Sequence, residues 1–303
     1  MAPATEAVLK LRAAFGSSKP PEKITQEAFD SNPGHLRRLM KLRPGDRAQS
    51  RDLWEYTQDL LYGHEIQGDL VSHVIPFCLE AWRDDLRGID NGYGGFVEHF
   101  YPVLAKTQVL GSHLNPKQGY AVAEFMRESI LEEIDEQRGL GYSGTVARPY
   151  RWIRAFTTHG VLFADLNRLW NPWWSLSTKG KAIAAVQYIS CLAYPASENP
   201  VFAPWTPEGG GGPPCLWEFA GHLYDSRWLE NNISFLREVL NLDRVIVDLD
   251  HAVQCLVDSP EYFVASGIRE DLPLCSEMIT SRCAELPKIL ATLKVGRTLE
   301  WRV

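Results

Sequence analysis

The chain has no Cys-x-x-Cys pair, although it holds six cysteines, at positions 78, 191, 215, 255, 275 and 283. That absence removes the common zinc-binding and dithiol redox patterns. Long hydrophobic runs are missing too. The longest mostly apolar stretch, Ala182 to Ala193, is interrupted by Gln187 and Ser190, and it falls short of the about 20 residues that cross a bilayer. It reads as a helix buried inside a protein, and no membrane association is expected. The first residues lack a charged segment followed by an apolar one, so no secretory signal is expected either. His-Glu-x-x-His, Gly-x-Ser-x-Gly and Asp-x-Asp-x-Asp-Gly patterns do not occur. Zinc-peptidase, serine-hydrolase and EF-hand chemistry therefore have no motif to stand on. No metal or other cofactor is expected.

What is there describes a globular protein. At 303 residues, with 45% hydrophobic and 23% charged residues, a folded chain buries roughly 75% of the surface its unfolded form exposes. It needs no disulfide or metal to hold a core. Most cysteines lie in apolar runs such as Ile189-Ser190-Cys191-Leu192, which fits reduced, buried thiols and a cytoplasmic location. The net charge of −7 is unevenly spread. Residues 1–51 carry ten Lys/Arg against five Asp/Glu, leaving −12 for the remainder. An acidic body argues against broad nucleic-acid binding. The basic segment includes Arg37, Arg38, Lys41, Arg43, Arg47 and Arg51, without interleaved aromatics, and is expected to form salt bridges to that body.

The hydrophobic pattern has a helical period in several windows. Leu70, Val71, Val74, Phe77, Cys78, Trp82 and Leu86 form one stripe, with Glu80, Arg83, Asp84 and Arg87 opposite. Pro76 should kink this helix or mark its first turn. Val122, Phe125, Met126, Ile130 and Ile134 form a second stripe within 116–136, ended by Gly139. Residues 229–240 and 246–257 repeat the pattern. Further helices are predicted at 53–62, 96–106, 161–170, 216–224 and 285–293. The alternation in 150–158 could instead be a strand, and 293–303 has room for a small hairpin. The fold class is therefore all-α, an irregular multi-helix bundle or helical-pair stack with at most a small β-hairpin. The expected organisation is a basic N-terminal segment, 1–51, packed on a single helical domain, 52–303, with a sub-boundary conceivable within 194–214.

Two segments interrupt the helices: the Gly/Asn/Asp loop 88–95 and the Pro/Gly-rich loop 194–214. The Gly209–Gly212 run ends in Pro213 and Pro214, which withdraw N–H donors from any phosphate cradle. Leu53-Trp54-Glu55-Tyr56 resembles Leu216-Trp217-Glu218-Phe219. The match then decays, so it reads as a coincidence of amphipathic helix starts.

The most unusual feature is aromatic. Six of the ten tryptophans fall between 168 and 228, at 170, 173, 174, 205, 217 and 228. Tryptophan is favoured at binding hot spots, yet it is also highly buried on average, so these rings either form a contact surface or plug a core. Asp248 and His251 share a helix face, as do Glu218 and His222. A single carboxylate–histidine pair is not by itself a site. Glu124, Glu128 and Glu132, with Glu133, Asp135 and Glu136, make an acidic face.

Two functional readings follow. The first is a cytosolic interaction, regulatory or immunity-type inhibitor protein that holds a protein partner through its Trp-rich region and acidic face. The second is an enzyme or small-ligand binder with a pocket under the 194–214 loop. Candidate contact residues for either are Trp173, Trp174, Trp205, Glu208, Trp217, Glu218 and His222.

Overall fold

The computed structural model of the chain describes residues 3–16, 19–63, 65–89, 96–140, 148–195, 198–201, 216–217 and 228–292. Among them are fourteen α-helices and no strand, so the all-α expectation holds. The predicted tail hairpin at 293–303 lies outside the described residues. So do residues 90–95 of the 88–95 loop, the Gly209–Gly212 run and the 216–224 helix beyond Trp217.

The described chain divides into two compact units. One runs up to Ser129 and the other starts at Ile130. In the first are α1 (Pro3–Phe15), α2 (Gly34–Leu39), α3 (Ser50–Tyr62), α4 (Gly68–Leu86), α5 (Phe96–Ala105) and α6 (Thr107–His113). Helix α7 (Pro116–Asp135) spans the division. In the second are α8 (Arg148–Leu162), α9 (Leu166–Trp174), α10 (Lys179–Ala193), α11 (Glu230–Val239), α12 (Leu242–Cys255), α13 (Tyr262–Asp271) and α14 (Ser276–Thr292).

The first unit is organised by α4, which meets α1, α3, α5 and α6. Leu70, Val74, Phe77, Cys78, Trp82 and Leu86 are buried along it, as the stripe predicted. Pro76 sits well inside the helix and is itself buried, so the first-turn alternative does not apply. Its missing N–H removes one intrahelical bond. Around this hub, charged side chains tie the helices together. The Arg12 guanidinium on α1 donates to both Glu80 oxygens on α4, at 2.7 Å each. Arg38 on α2 does the same to Asp52 on α3, at 2.9 and 2.6 Å. Arg47 reaches Asp84 on α4 at 3.5 Å, while Arg51 and Glu55 pair at 2.8 Å within α3 itself. The Lys106 ammonium, just past α5, donates to the carbonyls of Leu60 and Leu61 at 2.9 and 2.8 Å. It thereby satisfies carbonyls that the end of α3 leaves open.

The second unit is organised by α10, which meets α8, α9, α12 and α14. From Ala182 to Ala193 every residue is buried, as the apolar run implied. Thr178 caps its start by accepting the Lys181 N–H. Two glycines here permit close approach. A Cβ on Gly180 would run into the Asp135 carbonyl, and one on Gly160 into the Trp228 ring.

Two details differ from the sequence-based expectation. Residues 150–158 belong to helix α8 and not to a strand. Trp152, Phe156 and His159 recur at helical spacing and are all buried, so one helical face carries the bulk that alternation seemed to split between two. The helix predicted over 161–170 is broken at Phe163–Asp165. The buried Asn232 amide fills that break. Its Nδ2 donates to the carbonyls of Gly160 and Phe163, both at 2.7 Å, and its Oδ1 accepts the Leu166 N–H at 3.4 Å. One side chain thus serves the end of α8 and the start of α9. Helices α1, α2, α6 and α13 had no counterpart in the reading of the sequence. Two of them are only six and seven residues long, too short to show a stripe.

Candidate functional site

The Trp-rich segment is an aromatic core. Trp170, Trp173 and Trp174 lie on α9, whose last turn contains Pro172. Trp173 is fully buried. Its ring lies 5.0 Å from Trp152, 5.8 Å from Phe156 and 5.4 Å from Tyr188, all in edge-to-face arrangement. Trp170 and Trp174 stack at 4.8 Å. Such offset and edge-on pairs add to what burial alone contributes. Two indole N–H groups are satisfied, Trp152 by Gln187 Oε1 at 2.9 Å and Trp173 by the Lys181 carbonyl at 3.2 Å. Trp217 and Trp228 are buried as well, and Trp174 is half-buried.

Of the candidate contact residues, the structure therefore brings Trp173 and Trp174 together, Trp173 inside the core and Trp174 half-buried at its edge. Trp217 is also internal. It follows Leu216, which has φ +56 and whose carbonyl accepts the Thr157 hydroxyl at 2.7 Å. The corresponding Leu53–Tyr56 is regular helix, so the short sequence likeness does not extend to conformation. Trp205, Glu208, Glu218 and His222 lie outside the described residues.

The other constellations have ordinary partners. Asp248 is engaged by Arg244 at 3.0 Å, one helical turn earlier, while His251 is exposed. Burial raises the Asp248 carboxyl's pKa, against the opposing pull of Arg244 and His251. The acidic face is partly internal. Arg127 pairs with Glu124 and lies 3.6 Å from Glu128, and the buried Glu133 accepts from the Gln137 amide at 2.8 Å. Asp135 and Glu136 remain exposed. No group of three or more His, Cys, Asp or Glu suited to a metal occurs among the described residues.

The first unit also holds a polar arrangement that no motif in the sequence marks. His35 on α2 is buried, with Nε2 2.6 Å from Asp59 Oδ2 on α3. Its other ring nitrogen lies 3.5 Å from Glu55 Oε2. Asp59 Oδ1 accepts the Phe29 N–H at 2.8 Å, so one carboxylate anchors both α2 and the segment before it. Burial disfavours a charge on His35. The Asp59 hydrogen bond and the negative charges of Asp59, Glu55 and Asp30 outweigh it, and the pKa lies above the ordinary 6.5. The signal was present in α3. Asp52 and Asp59 stand seven residues apart beside Leu53, Tyr56 and Leu60, on the buried face. A carboxylate on such a face requires a partner.

Beside this anchor, the segment 22–33 and α2 border a groove of about 840 Å³. Lys23, Gln26, Arg37 and Lys41 line it, together with Glu22 and Glu27. The segment is held from below by a reciprocal pair of amides. The Gln26 N–H donates to Gln67 Oε1 at 3.3 Å, and the Gln67 N–H donates to Gln26 Oε1 at 3.1 Å. The Thr25 N–H joins the same Gln67 oxygen at 2.9 Å.

Large apolar side chains are exposed unevenly. Ten are exposed among the described residues, and five of them fall on α12–α14 and their turns: Val247, Val257, Phe263, Leu274 and Met278. Phe263 and Leu274 are 82% and 86% exposed.

Comparisons with known proteins found no matching family model, no matching curated protein and no matching solved structure.

Proposed function

We propose that this chain is a cytosolic interaction protein of regulatory or inhibitor type, and that it holds a protein partner through the exposed side chains of α12–α14. The observation that carries this reading is the concentration of exposed apolar residues there, with Phe263 and Leu274 almost fully in solvent. Where such groups form one contiguous patch, a partner's surface is what covers them. Trp170, Trp173, Trp217 and Trp228 are buried and contribute to the core. Free thiols at Cys78, Cys191, Cys255, Cys275 and Cys283 fit a reducing compartment.

The test is affinity capture from a native lysate with the immobilised wild-type chain and with a Phe263→Ser/Leu274→Ser variant. Both side chains are exposed, so the variant should melt within about 2 °C of wild type, consistent with the small effects of surface changes. The expected result is a protein retained by the wild type and lost by the variant. Equal retention by both would reject this surface. A concentration-dependent mass twice that of the chain, abolished by the same substitutions, would replace the partner by a second copy.

A further inference from the structure

We propose that the groove between segment 22–33 and α2 is a binding site for a small multivalent anion, one bearing two or more phosphate or carboxylate groups. At about 840 Å³ it falls in the size range of small-ligand pockets. Three cations line it: Lys23 on the segment, and Arg37 and Lys41 one helical turn apart on α2 and its continuation. The basic cluster that supplies Arg37 and Lys41 is used selectively. Arg38, Arg47 and Arg51 are each spent on a carboxylate of the first unit. Arg37 and Lys41 stay exposed and make no ion pair among the described residues, although like charges at this spacing repel.

A second observation is independent of charge. Gln26 lines the same groove and is only 4% exposed, yet its Nε2 has no hydrogen-bond acceptor among the described residues. The Gln67 N–H fixes which end of the Gln26 amide is the oxygen, so the unpaired end is the donor. A buried donor without an acceptor is uncommon and calls for an account. An anion that draws Lys23, Arg37 and Lys41 together would place acceptors along the groove wall to which Gln26 belongs.

Glu22 and Glu27 line the groove too and form no ion pair with these cations. They leave a net lining charge of +1. A monovalent ion would gain little there, whereas a ligand with two or more charges can engage three cations at once. The two carboxylates also disfavour a long polyanion whose charge is spread along its length, which separates this site from a nucleic-acid groove.

The test is isothermal titration calorimetry of the full chain at low salt, with tripolyphosphate in one arm and citrate in the other. One site per chain is expected for at least one probe, and which arm binds identifies phosphate or carboxylate as the group recognised. Arg37→Gln/Lys41→Gln should weaken that binding at least tenfold, and Lys23→Gln at least threefold. Arg43→Gln, an exposed cation outside the groove, should leave it unchanged. Melting curves of the variants check that each is folded. No heat from either probe at 5 mM overturns the proposal, as does equal weakening by Arg43→Gln. A single-stranded oligonucleotide that binds more tightly than both probes, with the same dependence on Arg37 and Lys41, would overturn it in favour of nucleic acid.

Discussion

The two units solve one problem in different ways. Each is arranged around a helix that is buried on most sides, α4 in the first and α10 in the second. The first surrounds its hub with polar clasps: Arg12–Glu80, Arg38–Asp52, His35–Asp59 and the Lys106 ammonium on the end of α3. The second surrounds its hub with rings, where Trp152, Phe156, Trp170, Trp173 and Tyr188 meet at 5.0 to 6.3 Å. Ring burial stabilises in proportion to area and shape and is nearly indifferent to pH. Charged clasps fix geometry, contribute modestly where exposed, and depend on protonation. The lesson is that similar helical scaffolds can have different weak points.

The largest expected effect breaks the ring side of this comparison. Trp173→Ala should cost about 3–5 kcal/mol, because it removes a fully buried ring and leaves a cavity among neighbours that cannot close it. Chemical denaturation followed by circular dichroism measures the loss. Hydrogen exchange should place it on the amides of α9 and α10, and protection lost instead across α4 would contradict the division drawn here.

A slightly smaller effect is expected on the polar side. Asp59→Ala leaves the buried His35 ring and the Phe29 N–H without their acceptor, and should cost about 3 kcal/mol, within the range for breaking a buried pair. Asp59→Asn retains an acceptor and should cost less. If the two substitutions are equally harmful, charge rather than hydrogen bonding dominates this clasp.

The smallest effect reads the protonation of one clasp directly. His35 has a pKa above 6.5 in the folded chain. The folded state therefore holds its proton more tightly than the unfolded state does. That contribution to stability is fully present below pH 6.5 and fades as pH rises through the raised value. His73 and His113 act in the opposite sense. Burial lowers both pKa values, so their contribution is present above pH 6.5 and fades as pH falls through the lowered values. The stability difference between wild type and His35→Gln, measured from pH 5 to 9, should shrink as pH rises past 6.5. A difference that grows with pH would mean that His35 is held neutral.

Much of the fold was legible because periodicity reports which face of a helix is buried. The stripes at 70–86 and 116–136 became α4 and α7, and the run 182–193 became the buried α10. Legibility failed where the deciding group is far away in sequence. The break between α8 and α9 is held by Asn232, and nothing near Phe163 announces it. The candidate site was less legible. His35 and Asp59 are 24 residues apart, and the groove is assembled from a segment without periodicity and a helix of six residues.

By itself, the sequence determined that this chain folds as helices, where most of them run, and that it offers no familiar catalytic motif, since these depend on local spacing and side-chain type. Only the tertiary structure decided that Trp170, Trp173, Trp217 and Trp228 are core, and that Arg38 is paired while Arg37 forms no ion pair among the described residues. Burial and pairing depend on what the rest of the chain brings alongside. A residue's chemistry is inherited from its own position, but its availability is set by its neighbours in space.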